Sequence, residues 1–423
     1  MELQPPRGTA DLLPPRSDAI LSLYDEAHEL AHRFGYRYVE TPTFEQTELF
    51  ARTSGDTSDV VSKEMFTFED KGGRSMTLRP ESTASVVRAF LANAQKLPTP
   101  FKAYYVHPNY RHGRPQAARL REFRVFGIEV LGTAAPDADV EVVELADTFL
   151  RARGLRDVVL HLNSVGDEVC RPSYRDKLIA YLEPHVDELD EDCRKRLHSN
   201  PMRVLDCKVD GKKDFVLSAP LISDNLDEGC AAHFAAVRQG LEEAGVAFEH
   251  DPHIVRGLDY YTRTAFEFVS NAIGGQQSTI CGGGRYDALA TVLGGSDLPG
   301  VGFGMGIDRV LIAMETEGAE LPPPRAPRCF VVAIAGARRA GLELVRDLRA
   351  AGISAERALE DRPLGAQLRM ADRGGARYAA ILGERETEAG VVTLRKLDDG
   401  TQEEVSRADV VNWLMRNDGT EWR

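Results

Sequence analysis

Residues Leu321–Pro327 read LPPPRAP, four prolines in seven positions. Proline fixes φ and lacks an amide hydrogen, so such a run extends neither a helix nor a sheet interior and serves as a stiff, extended spacer. A chain interrupted in this way folds as two units, and the expected boundaries are 1–325 and 328–423. Downstream, strand-like Cys329–Ala335, Ile353–Arg357 and Tyr378–Leu382 alternate with helical periods at Arg338–Ala350, Leu364–Arg373 and Ala408–Arg416, the rhythm of an α/β domain. Upstream, an amphipathic helix over Pro15–Phe34 precedes a predicted strand Tyr36–Glu45, whose Pro42 suits a sheet edge or a subunit interface. Strand patterns then follow at Glu64–Phe68, Ser75–Leu78, Phe101–Val106 and Phe123–Leu131, with a helix over Ser82–Ala94. Their short connections predict an antiparallel sheet. The stretch from about 164 to 239 is charged and helix-prone, and reads as a helical insertion. Strands return at Phe248–His250, Thr262–Val269 and Ser278–Cys281 before a helix at Ile307–Glu317. The expected class is therefore α+β, an antiparallel sheet domain with a helical insertion, followed by an α/β domain.

The chain holds 52 basic and 66 acidic residues, a net charge of −14, whereas 328–423 balances 16 against 16. A polyanionic partner must then be met by local basic patches. No two of the six cysteines stand two to four residues apart as in a zinc knuckle, so they read as reduced structural thiols and no metal site is expected. No apolar run approaches the ~20 residues of a membrane span. Met1–Pro15 has no apolar signal core, and the expectation is a cytoplasmic protein.

One segment stands out against the acidic background. His107–Arg124 carries Arg111, Arg114, Arg119, Arg121 and Arg124 against the single acid Glu122. Lying between two strand patterns, it reads as an arginine-rich hairpin tip able to grip phosphates, or else as a solvated turn of surface ion pairs. The scarcity of local acids favours the first. Along the following strand, alternation places Val125, Gly127 and Glu129 on one face, so Glu129 sits among small and apolar neighbours and needs a cation. A substrate amino group and a structural arginine satisfy that need equally. Ile254–Phe268 sets Arg256, Asp259, Tyr260 and Tyr261 around Gly257, a cation with hydroxyls nearby. Cys281–Asp287 (CGGGRYD) permits either close backbone approach to a ligand or merely a tight turn. In Pro299–Arg309 (PGVGFGMGIDR), glycine at every second position leaves a strand face bare for a flat ligand such as a purine, with Arg309 in reach of its phosphates. Neither a Walker loop nor a GxGxxG helix opening is present.

Taken together, these segments resemble the class II aminoacyl-tRNA synthetases, and the histidyl-tRNA synthetase family in particular. The class motifs are matched by Tyr38–Glu45 with Pro42, by Arg111 in its hairpin and by Gly302–Arg309. The family's own segments are matched by Thr77–Glu81 (TLRPE), Arg256–Thr264 (RGLDYYTRT) and Gly282–Asp287 (GGGRYD), and the tail resembles its anticodon-binding domain. The resemblance implies a homodimer that activates L-histidine with ATP and Mg2+ and transfers it to tRNA(His). It assigns Arg111 and Arg256 to the α-phosphate as catalytic residues and Arg309 to the γ-phosphate. Glu81, Thr83 and Glu129 would receive and orient the substrate amino group, with Glu81 also at the ATP side, and Arg256, Tyr261 and Tyr286 would complete the histidine pocket. Arg114, Gln116 and Arg119 would approach the tRNA. Several positions depart from the family pattern: Gly113 replaces a glutamate, Val125 a glutamine, Ser82 and Ala118 glycines, and Asp308 a glutamate. Two other readings follow from the same resemblance, a histidine-binding regulatory subunit without catalysis and a duplicated enzyme with another acceptor.

Overall fold

The computed structural model describes residues 3–54, 64–114, 119–207, 209–255, 260–273, 278–334 and 336–417. Two units divide the chain, Met1–Pro322 and Pro323–Arg423. The first contains strands β1 (Arg37–Tyr38), β2 (Phe44–Gln46), β3 (Phe66–Glu69), β4 (Ser75–Leu78), β5 (Phe101–Tyr110), β6 (Glu122–Leu131), β7 (Val158–Ser164), β8 (Glu249–His250), β9 (Thr262–Ser270), β10 (Thr279–Arg285) and β11 (Gly300–Gly306). Eight of them form one sheet in the order β1-β5-β6-β11-β10-β9-β7-β8, antiparallel except for the outer pairs β1/β5 and β7/β8.

The pleat sorts the residues of this sheet into two layers. Phe126, Ile128 and Val130 of β6 and Phe266 and Phe268 of β9 meet the helices Arg16–Arg33, Pro136–Ala152, Glu228–Glu243 and Ile307–Glu317, which bury Leu23, Phe149, Val237 and Leu311 against them. Val125, Leu131, Tyr105 and Ala265 point to the opposite face, under the helix Thr83–Leu91. Alternation along β6 is thus as its sequence predicts.

Three expectations need correction. Tyr36–Glu45 is not one strand: β1 pairs with β5, while β2 joins β4 and β3 in a separate three-stranded sheet. Pro42 lies in the break between them, where no ladder amide is required. The glycines of CGGGRYD do not make a tight turn but lie in the interior of β10. The last helix of the expected insertion, Glu228–Glu243, places Phe234, Val237 and Leu241 in the main core; the insertion's own apolar cluster is built on Tyr174, Leu178, Leu182, Leu197 and Val216.

The second unit is a five-stranded sheet, β12 (Cys329–Ala333), β13 (Ala355–Arg357), β14 (Tyr378–Leu382), β15 (Val391–Lys396) and β16 (Gln402–Ser406), ordered β13-β12-β14-β15-β16. Its first three strands run parallel, as an α/β rhythm requires, and an antiparallel hairpin completes it. None of the described helices is long and apolar enough to cross a membrane.

A buried ionic cluster ties the helix Pro136–Ala152 to β10. The fully buried Arg285 pairs with the equally buried Asp139 and with Asp287 at 3.0 Å, and donates to the Thr133 and Ala135 carbonyls. Burial pushes the Asp139 carboxyl up, but the His233 contact and Arg285 outweigh it and hold the carboxyl below its usual range. Removing one partner strands a charge in the core, so Arg285→Met is expected to cost about 3–5 kcal/mol in urea unfolding of the first unit, and Asp139→Leu in the same chain to recover part of that loss. An unchanged midpoint for the single variant would contradict this account.

Candidate active site

On the sheet face away from the long helices lies a cavity of about 360 Å³. Glu81, Thr83, Arg111, Arg119, Tyr261 and Arg309 of the expected site border it, joined by Glu64, Asn109, Val125 and Tyr260.

At one side of the cavity Glu129 is fully buried. It accepts hydrogen bonds from Thr83 Oγ1 at 2.7 Å, from the Tyr105 hydroxyl at 3.1 Å and from the Tyr286 hydroxyl. Among the described residues no cation pairs with it, so the structural ion pair allowed by the sequence is not what is found. Burial pushes its pKa up to about 8, against the pull of the hydroxyls. Three glycines make this cage possible. A Cβ at Gly127 would run into Tyr105, one at Gly302 into the Glu129 carboxylate, and one at Gly300 into the Tyr286 ring. The bare face expected of Pro299–Arg309 is therefore divided: Gly300 and Gly302 accommodate protein side chains, while Gly304 and Gly306 border the cavity. Tyr286 is itself set behind the wall, reaching the cavity only through Glu129.

Glu81 stands at the start of the helix Thr83–Leu91 and accepts from the Ala84 amide at 3.1 Å. Burial raises its pKa, and the helix amides and Arg111 oppose that rise. Glu81 thus faces the cavity with Glu129 buried behind Thr83 and Tyr105, and the tyrosine pair Tyr260 and Tyr261, ring centroids 4.9 Å apart, borders the same cavity.

The other end of the cavity is cationic. Arg111 donates to the Pro80 carbonyl at 2.8 Å and lies 5.5 Å from the centre of the Phe123 ring, which fixes its direction. Arg309, at the start of the helix Ile307–Glu317, donates to the Thr279 carbonyl at 2.6 Å. Its pKa falls to about 10, through burial first and then the nearness of Arg111 and Arg119. Guanidinium groups close enough to oppose one another's charge are chemically suited to an anion with several oxygens.

The hairpin differs from its sequence reading in how its charges are met. Arg119 pairs with Glu64, an acid 55 residues away in sequence, and Arg124 pairs with Asp308 at 3.1 Å while its amide donates to the same carboxylate. Arg114 is exposed and takes no part in the cavity wall. Arg256, Gln116 and Ala118 lie outside the described residues. Reading the sequence alone missed Glu64, Asn109 and Tyr105; only Tyr105 left a signal, since strand pairing opposite Gly127 gives its ring room. The departures from the family pattern also have partners. Arg124 and Asp308 are bonded to each other, Ser82 donates to Asn109 at 3.1 Å, and a Cβ at Gly113 would lie 2.9 Å from Arg119 Nε and 3.1 Å from Glu64 Oε1.

An eight-stranded, largely antiparallel sheet carrying a cavity with arginines at one end and carboxylates at the other has the architecture of a class II aminoacyl-tRNA synthetase catalytic domain. The family model for histidyl-tRNA synthetase matches residues 8–310, and that for the anticodon binding domain matches 328–417. Histidine--tRNA ligases of Moorella thermoacetica and Anoxybacillus flavithermus are 48% and 47% identical, covering 99% and 96% of this chain and 99% and 97% of their own. The apo crystal structure of the Staphylococcus aureus histidyl-tRNA synthetase superposes with a TM-score of 0.82 at 35% identity, covering 98% of this chain and all of that one. The chain belongs to the histidyl-tRNA synthetase family.

Restoring the family glutamate at position 113 is expected to do harm. Gly113→Glu forces a side chain against the Arg119–Glu64 pair and adds a second carboxylate there, so ATP should bind several-fold more weakly in calorimetric titration. Tighter binding would show that Glu64 does not occupy the glutamate's place.

Proposed function

We propose that this chain is a histidine–tRNA ligase, which condenses L-histidine with ATP to histidyl-adenylate and pyrophosphate and then passes the histidyl group to the 3′ end of tRNA(His). The observation that carries this reading is the joint placement, in one cavity, of Arg111 and Arg309 with the Glu81 carboxylate and with Thr83 and Tyr105, which hold the buried carboxylate of Glu129 behind them.

In the first step a histidine carboxylate oxygen attacks the α-phosphorus, and the bond to the bridging oxygen of pyrophosphate breaks. Arg111, held by Pro80, is suited to the α-phosphate and Arg309 to the γ-phosphate, where they oppose the charge that builds up in the transition state. Arg256 is proposed to add a second positive charge at the α-phosphate. Magnesium would arrive as part of the nucleotide substrate and neutralise its phosphates, with Glu64 and Asp308 the cavity acids on that side. Glu81, Thr83 and Glu129 receive and orient the histidine amino group. Tyr261 borders the imidazole, and Tyr286, set behind the cavity wall, holds the Glu129 carboxylate that receives the amino group. A pocket built on buried hydroxyls and carboxylates rejects an apolar analogue strongly, because the wrong ligand leaves polar groups unpaired. In the second step the terminal tRNA hydroxyl attacks the activated carbonyl and AMP leaves.

Arg114, Gln116 and Arg119 are proposed to lie on the side of the arriving tRNA end, and the second unit to engage the anticodon arm. A homodimer in the cytoplasm is the proposed form; the exposed aromatic residues Phe44, Phe68 and Tyr38 around the small sheet suit a subunit interface.

Histidine-dependent exchange of labelled pyrophosphate into ATP tests the reading. Binding of histidine without exchange would favour the regulatory role, and no binding would overturn the assignment. The raised pKa of Glu129 adds a pH signature. A ligand cation requires the ionised carboxylate, whose share grows from about a tenth at pH 7 to about a half at pH 8, so histidine affinity should rise roughly fivefold over that interval. Glu129→Gln should weaken binding and flatten the profile in the same titration.

A further inference from the structure

Four aspartates and four cysteines of the insertion and its neck, none used by the proposed chemistry, converge in two groups. Asp167, Cys170, Asp227 and Cys230 make up one, and Asp190, Cys193, Cys207 and Asp210 the other; in each, four ligand atoms lie within 4.8 Å of one another. Each group pairs two short segments with two residues between the ligands, 167/170 with 227/230 and 190/193 with 207/210. This is the two-knuckle spacing of a structural metal site, with one sulfur of each knuckle replaced by a carboxylate. A search for cysteine pairs alone passes over it.

We propose that both groups are structural sites for a thiophilic divalent cation of the zinc class, each offering two thiolates and two carboxylates.

Helix capping explains part of the arrangement. Asp190 and Asp227 are N-caps that accept from the Cys193 and Cys230 amides. Capping uses one oxygen of each and leaves the convergence of thiols from distant segments without a reason. Sγ of Cys170 is 3.9 Å from Sγ of Cys230, too far for a disulfide but close to the ~3.8 Å edge of a tetrahedron with zinc–sulfur bonds of ~2.3 Å. In the second group the Cys207 sulfur is 3.3 Å from Asp190 Oδ2. Backbone amides also aim at sulfur, Asp167 N–H to Cys170 at 3.3 Å and Asp210 N–H to Cys207 at 3.5 Å, the outer-shell contacts that orient sulfur ligands. A glycine adjoins one knuckle of each group. Gly166 has φ +64° and a Cβ there would meet Cys170 Sγ at 2.6 Å; one at Gly211 would meet the Leu205 carbonyl oxygen at 2.8 Å.

Charge and ligand type narrow the choice of ion. Calcium and magnesium favour all-oxygen sites, and iron–sulfur clusters are held chiefly by cysteine thiolates, whereas zinc accepts mixed sulfur and oxygen. Two thiolates and two carboxylates around a divalent ion leave a net −2. Arg263, 3.3 Å from Asp167, and Lys213, 2.7 Å from Asp210, each offset part of it.

The two sites serve different places. The second closes the small core around Leu189, Leu197 and Val204, too slight to hold many short helices by apolar burial alone. The first joins the chain leaving β7 to the start of the helix Glu228–Glu243 that leads back. Arg171, next to Cys170, donates to the Val165 and Tyr261 carbonyls, so this clamp also steadies a residue at the cavity edge.

Elemental analysis of the full chain, grown with added zinc and purified without chelator, is expected to give about two zinc ions per chain. Cys230→Ser should lose one and Cys193→Ser the other. Because either variant can misfold, the unmodified chain supplies a second measurement: replacement by cobalt should produce thiolate-to-cobalt charge-transfer absorption, and alkylation of the four thiols should be slow until a chelator is added. One ion per chain, lost only in Cys230→Ser, would keep the first site and overturn the second; loss only in Cys193→Ser would do the reverse. Metal below about a fifth of an equivalent after incubation with zinc, with rapidly alkylated thiols or a Cys170–Cys230 disulfide, would overturn both.

Discussion

A carboxylate buried in a sheet with no cation beside it among the described residues has to be held by hydroxyls, and the centre of the first unit is arranged to supply them to Glu129. Tyr105 reaches it only because Gly127 has no side chain, the carboxylate itself fits only over Gly302, and Tyr286 reaches it only past Gly300. Three neighbouring strands therefore share one steric requirement. The alternation of glycine with apolar residues in β11 follows from that requirement at its first two glycines and from the ligand space at the next two.

The same wall explains why the departures from the family pattern come as a group. Asp308 is one methylene shorter than glutamate and is met by Arg124 through both its guanidinium and its backbone amide. Ser82 gains Asn109 as its acceptor. Gly113 yields room to Arg119 and Glu64. Each substitution considered singly removes something, whereas the bonded pairs describe a cavity wall rebuilt as a unit. Val125 borders the cavity on the same face as Glu129 and has no such partner; nothing in the structure explains it.

How much of this was legible in sequence depended on the range of the interactions. The helices Arg338–Ala350 and Leu364–Arg373 and the strand Tyr378–Leu382 occur as read, because local periodicity specifies them. The edge strand Gln402–Ser406 escaped, since only Val405 is buried and its register is borrowed from β15. Family motifs pointed to Glu81, Thr83, Arg111, Tyr261 and Arg309, which do converge. The pairing of Arg119 with Glu64 had no local signal, and the scarcity of acids inside the hairpin pointed the wrong way. Parity placed Glu129 on its face but could not show that hydroxyls, not a cation, surround it.

Burial and the nearby Arg111 and Arg119 hold the Arg309 pKa down, burial holds the Glu129 pKa up, and a bound polyanion at the one and an ammonium at the other would relieve both. The empty protein is then the least stable member of its own cycle, and each substrate adds folding free energy according to its concentration over its dissociation constant. Nucleotide and amino-acid supply would accordingly bear on how long the folded chain persists as well as on how fast it works.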